Sequence, residues 1–234
     1  MQQELEHYNQ SSFNILPSIE SANADMRARD QLTRAFSLLG PVFAEHRMCE
    51  TWGIGLLHKH WHLEVGELPI QDVEYHEDRR QFTTLPRAVA FSKPLSPSVF
   101  AVKTTLSPFL QPLEFSSDPQ VRGANTLLTR NPQFVRDFCE SMLANDLEQI
   151  FGLIALRTAS RPHLQLVEFN YEGRISVVRE TIPSDIENKE LIETSWRLAL
   201  DEVSGNCVGS CFSQCIVPAS GGGHQHAHPR AHKP

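Results

Sequence analysis

An α+β domain, with a mainly antiparallel sheet and packed amphipathic helices, is what this 234-residue sequence predicts. Three observations carry the prediction. Helical stripes and strand-length apolar runs follow one another in the order helix, strands, helix, strands, helix, which suits an α+β arrangement. Asn131-Pro132 is a capping residue followed by a proline at the first helical position, and Tyr171-Glu172-Gly173 joins two apolar runs as a hairpin. With 40% apolar residues the chain can bury one sizeable core.

Taken in order, residues 1–24 read as a polar, mobile lead-in. Met26, Leu32, Ala35, Phe36 and Leu39 then recur at three- and four-residue spacing, the stripe of an amphipathic helix that Gly40-Pro41 ends. The run WGIGLLHKHWHLEVGE, Trp52 to Glu67, follows as a strand. Residues 68–75 read as a second strand, with Pro69 at an edge position, and the charged residues 76–87, broken by Pro86, as a loop. Ser98 to Lys103 is a short strand, and Thr104 to Pro119 is extended or looping chain.

The helix opened at Pro132 carries Phe134, Val135, Phe138, Cys139, Met142 and Leu143 on one face, so Cys139 reads as a small core residue rather than a nucleophile. Phe151 to Arg157, Leu164 to Asn170 and Arg174 to Glu180 are strand-like. Ser184 and Glu187 form a capping box that predicts a last helix carrying Ile186, Leu191, Ile192 and Trp196. The single domain therefore spans residues 25–203. Residues 204–234 form a flexible Cys/His-rich segment.

If residues 52–63 are extended, Trp52, Ile54, Leu56, His58, His60 and His62 share one face. Neighbours on that face stand about 6–7 Å apart, from a rise of about 3.3 Å per residue, and two imidazoles so placed can converge on one transition metal. A third His on the same strand does not reach the ion. The third ligand is then Glu64, Glu67 or a His from elsewhere. Cys207, Cys211 and Cys215, with His224 from the tail, supply a second set, because three thiolates and one imidazole close a tetrahedral zinc site. Zinc, or another transition metal, is the expected cofactor. The competing reading leaves His58, His60, Glu64 and Glu67 solvated on a half-exposed edge and the tail disordered, in a non-catalytic interaction or structural protein.

The net charge of −7 argues against a nucleic-acid partner. There is neither an eighteen-residue apolar run nor a secretory pattern at the start, so we expect a cytoplasmic chain with no membrane partner. The five cysteines make no disulfide framework. Phosphate-loop, nucleophile-elbow, HExxH and dinucleotide fingerprints are all missing. The catalytic residues stay unknown, and so does whether the partner is a small-molecule substrate or a protein.

His58-x-His60 followed by Glu64 looks like the first metal-binding motif of cupins. Gly53 falls one position short of that motif's first glycine, Ile70 and Gln71 stand where its second belongs, and a downstream ligand would have to be His163. More broadly, the WGIG and LLHKHWHLEVGE residues and the late Cys-x-x-x-Cys resemble a filamentous-ascomycete fungal family with a WGxxLLHxHxxxxxGE block and a C-terminal Cys/His segment. The resemblance marks Leu56, Leu57, His58, His60, Gly66, Glu67, Cys207 and Cys211, while Trp61 and His62 depart from the pattern. The family brings no established activity. Some of its genes lie near secondary-metabolite clusters, so the resemblance implies an accessory factor or enzyme of secondary metabolism.

Overall fold

The structure, a computed structural model, describes residues 8–28, 30–76, 79–88, 94–157, 164–200 and 207–217. Its strands are β1 (Trp52–Leu56), β2 (Glu67–His76), β3 (Arg79–Ala88), β4 (Ser96–Thr104), β5 (Pro108–Ser116), β6 (Phe151–Ala155), β7 (Gln165–Tyr171), β8 (Ile175–Thr181), β9 (Leu191–Leu200) and β10 (Cys207–Ile216). They close into one barrel in the order β1-β6-β4-β5-β2-β3-β8-β7-β10-β9, with β9 pairing back onto β1. Neighbours are antiparallel except β2 with β5 and β7 with β10, which run parallel.

This corrects the expected α+β sheet: the fold is a closed, mixed ten-stranded barrel, mostly strand. Three misread segments account for the difference. Most of residues 76–87, expected as a loop, belong to β3, which pairs with β2 from Glu67↔Ala88 to His76↔Arg79. Ile192 and Trp196, expected on a helix, lie on β9, where period-two alternation buries Ile192, Thr194, Trp196 and Leu198. The capping box leaves only a short 3₁₀ turn at Pro183–Asp185. Cys207–Ile216, expected in a flexible segment, is the strand between β7 and β9.

Five helices are present among the described residues: α1 (Gln10–Asn14), α2 (Ile19–Ala28), α3 (Gln31–Glu45), α4 (Pro119–Arg130) and α5 (Pro132–Ala144). The first two occupy much of the expected lead-in. The cap at Asn131 is as predicted, its side chain accepting from the Phe134 N–H at 3.1 Å. Asp118 does the same for α4, accepting from the Gln120 N–H, and α4 buries Val121, Ala124 and Leu128 against the core. Pro41 does not end α3, which continues to Glu45. The fully buried Leu39 and Phe43 on either side of the proline supply the packing that offsets its cost of about 3 kcal/mol.

The main core lies between these helices and the outer face of β1, β4, β6 and β9. Phe43, Phe134 and Phe138 stack edge-to-face or offset within 6 Å of one another and join Trp52, Ile54, Phe151, Leu153 and Trp196. Each such side chain contributes about 1.5–3 kcal/mol of burial. Cys139 is fully buried in this layer, its thiol pushed up to about 12 by burial. On the other face of β1, Gly53 and Gly55 leave the barrel wall thin. A Cβ on Gly53 would fall 2.3 Å from the Trp196 carbonyl oxygen, so the β1–β9 closure requires glycine there. Among the described residues no helix is long and apolar enough to cross a membrane.

Candidate metal centre

The barrel lumen mixes polar and apolar side chains, the latter including Leu57, Val99, Leu113, Ile154 and Val178. Charged or hydrogen-bonding side chains enter it from β2 (Gln71), β3 (Thr84), β5 (Glu114), β7 (Glu168), β9 (Thr194) and β10 (Ser213), around a cavity of about 70 Å³. That space suits a handful of waters or a ligand of a few heavy atoms.

The histidines sit at the end of this lumen. β1 stops at Leu56, but the chain stays pinned: the Leu57 N–H donates to Ile150 O at 2.8 Å and the Lys59 N–H to Pro17 O at 2.9 Å. The loop of residues 57–66 is fastened from the other side by α1. Asn14 accepts from the Leu63 N–H at 2.8 Å and donates to Leu63 O at 3.0 Å, and Gln10 donates to the same oxygen at 2.8 Å. The Lys59 ammonium donates to Asn14 O. The polar N-terminal residues are thus the clamp on the histidine loop.

Held this way, His58 and His60 bring their Nε2 atoms to 3.2 Å, with the rings nearly perpendicular. Two further donors complete the group. Glu168 Oε1 lies 3.1 Å from His60 Nε2, and Cys215 Sγ lies 3.7 Å from His58 Nε2 and 2.8 Å from Glu168 Oε2. Ligand atoms of all four residues lie within 4.8 Å of one another, so the cluster can hold a metal ion. Tetrahedral zinc, with bonds of about 2.0–2.1 Å to N and O and about 2.3 Å to S, needs separations of about 3.3 Å for N–N and N–O pairs and about 3.6 Å for pairs with sulfur. The N–N, N–O and N–S distances come within a few tenths of an ångström of these. The Cys215–Glu168 pair must open, by less than 1 Å, once the proton between them leaves, and the remaining pairs, within 4.8 Å, close onto the ion.

The hydrogen bonds also set protonation. His58 Nδ1 donates to Leu56 O at 2.8 Å, which assigns its lone pair to Nε2 and aims it at the cluster. Burial, and then the neighbouring His60, push His58 down to about 4, so it is neutral and ready to ligate. For His60 burial acts downward, but the Glu168 carboxylate outweighs it and holds the imidazole above its ordinary value. Glu168 accepts from His60, Cys215 and the Ser176 hydroxyl. Burial works to raise it, yet the two imidazoles and the thiol keep it well below the carboxylate range. Burial, with the charge of Glu168, drives the Cys215 thiol well above the usual cysteine value.

Of the residues the sequence proposed, the structure brings together His58, His60 and Cys215. His62 is exposed, its carbonyl accepting from Arg174. Glu64 and Glu67 face that same arginine: Glu67 takes a two-point bond at 2.7 and 3.1 Å, and Glu64 lies 3.5 Å away. Both carboxylates therefore brace the loop by pairing with Arg174 and stand outside the four-donor cluster. Cys211 packs against the outer core and donates to Ser213 O at 3.3 Å. Cys207 begins β10, and its side chain, like His163 and His224, lies outside the described residues. Cys211 and Cys215, expected in a flexible segment, lie on a strand whose register shifts after Cys211 and again after Ser213.

Glu168 was missed. Its signal is a lone carboxylate inside the apolar strand run LQLVEFN, where an acidic residue is buried only with a partner. No protein-family model, no curated protein and no solved structure matches the chain.

Proposed function

We propose that this chain is a transition-metal-binding barrel protein and that the ion is zinc, held by His58, His60, Glu168 and Cys215. The observation that carries this reading is the convergence of four donors from β7, β10 and the loop after β1 to within 4.8 Å of one another, with three of their separations near those of a tetrahedral site. The donor chemistry supports zinc, since imidazole, thiolate and carboxylate are its three protein ligand types. The groups behind the donors support it too, with Leu56 O fixing one imidazole and Ser176 bracing the carboxylate.

His58, His60 and Glu168 line the cavity and Cys215 does not, so the ion would present one face to the lumen. With four protein donors the tetrahedron is closed, so the ion would first of all tie β7, β10 and the histidine loop together, and it would act as a Lewis acid on a small molecule only by taking a fifth neighbour from the lumen. The resemblance to the ascomycete family fits this reading, because His58 and His60 are positions that its block shares. A place in secondary metabolism belongs to the same proposal.

The test is metal content by inductively coupled plasma mass spectrometry on untagged protein, comparing wild type, His58→Ala/His60→Ala, Cys215→Ser and a chain truncated after Val217. One zinc per chain in wild type and in the truncation, lost in both site variants, is the expected result. Zinc that survives the double substitution, or disappears with the tail, would overturn it.

A further inference from the structure

Arg157 follows β6 and is the one guanidinium among the described residues that lines the lumen cavity, and it also borders a second pocket with Gln165, Glu193 and Arg197. It is 7% exposed, and its Nε and Nη2 atoms have no hydrogen-bond partner among the described residues. These two N–H groups lie on the same edge of the guanidinium plane, the fork that grips a carboxylate by two parallel bonds. A bland reading would let the ring of Phe82, 5.1 Å from Cζ, satisfy the group. A ring beneath the plane attracts the charge but accepts nothing from the N–H edge.

Three carboxylates act on Arg157 through space, Glu114, Asp118 and Glu168, and none of them bonds its Nε or Nη2. Glu168 is held by His60, Cys215 and Ser176. Asp118 caps α4 through the Gln120 N–H at 2.8 Å. Glu114 is pushed up to about 7 by burial, and further by the charge of Glu168, so it is only about half ionised near neutral pH. A buried charge left this way is costly unless a ligand meets it. The cavity holds a second orphan of opposite polarity: Gln71 is 2% exposed and donates from Nε2 to Thr84 at 3.3 Å, while its Oε1 has no partner among the described residues.

We infer that the lumen binds a small hydroxy-carboxylate, its carboxylate on the Nε/Nη2 fork of Arg157 and its hydroxyl donating to Gln71 Oε1. The cavity limits the ligand to a few heavy atoms, the size of glycolate, and excludes aromatic acids. This site rests on Arg157 and Gln71 and stands whether or not the neighbouring cluster holds a metal.

The test is isothermal titration calorimetry of glycolate and of benzoate into wild type, Arg157→Lys and His58→Ala/His60→Ala. Lysine keeps the charge and removes the fork. Saturable one-site glycolate binding is expected, weakened roughly tenfold or more by Arg157→Lys, retained in the double histidine variant, and not seen with benzoate. Absence of saturable glycolate binding to wild type overturns the inference, and so does equal binding by Arg157→Lys. Binding lost in the histidine variant but kept in Arg157→Lys would place the acid on the metal, sinking this inference while supporting the metal centre. Should Arg157→Lys not fold, the NMR signal of a protected arginine Nε–H in wild type decides: a saturable downfield shift with glycolate supports the site, and an unmoved signal refutes it.

Discussion

Loading the centre should expel protons in a number fixed by the four donors. At pH 6, His58 is already neutral, because its value is about 4, and Glu168 is already ionised, being held well below the ordinary 4.5. Neither has a proton to lose. His60, raised above 6.5, is protonated at that pH, and the Cys215 thiol, raised well above 9, is protonated throughout. Two protons must leave for one divalent ion to bind, so affinity rises with pH by about a hundredfold per unit, or about 2.7 kcal/mol. Above the His60 value only the thiol proton is left to lose, and the slope falls to about tenfold per unit. Calorimetric titration of zinc at pH 6, in two buffers of different ionisation enthalpy, counts the protons directly. Release of one proton or none at pH 6 would refute the donor assignment.

Asn14→Ala removes both hydrogen bonds to Leu63. It should cost about 2 kcal/mol in urea unfolding and, by freeing the histidine loop, weaken zinc binding by about tenfold or more, read by competition with a chelator. Glu67→Gln should leave metal content unchanged and cost less than about 1 kcal/mol, since Arg174 is 35% exposed. The Arg174 bond holds the Glu67 carboxyl below 4.5, so the pair's contribution is present above that value and lost as pH falls through the lowered one. Unfolding curves of wild type and Glu67→Gln should therefore converge in acid. Gly53→Ala sets a Cβ 2.3 Å from a backbone oxygen that no rotamer change can move. It should cost about 1–3 kcal/mol or more, seen as a lower urea midpoint, and leave the number of zinc ions per folded chain unchanged.

Local signals in the sequence were read where they decide local structure. The Asn131 cap, the hairpin at Gly173, whose φ is +82°, and the core placement of Cys139 all follow from short-range chemistry. The barrel did not follow, because closure depends on long-range pairing that leaves little local trace: β1 meets β9 at Ile54↔Trp196, across most of the chain. β3 opens at the end of the charged run HEDRR and contains Pro86, which made it look like a loop. β9 was read as a helix because a capping box precedes it, although its alternating buried residues follow period two. At the site, the spacing of His58 and His60 pointed to a shared metal, and the pair does converge. It converges in a pinned loop, with a carboxylate 108 residues beyond His60 rather than with Glu64 or Glu67 nearby. Adjacency favoured those two, but Arg174 claims both.

X-ray absorption at the zinc edge of the loaded protein tests the four-donor assignment most directly. One sulfur at about 2.3 Å and three nitrogen or oxygen neighbours at about 2.0–2.1 Å, with the sulfur replaced by a light atom in Cys215→Ser, is the predicted shell. Two or three sulfurs would put the ion on the cysteines of β10 instead, and a shell without sulfur would remove Cys215 from the centre.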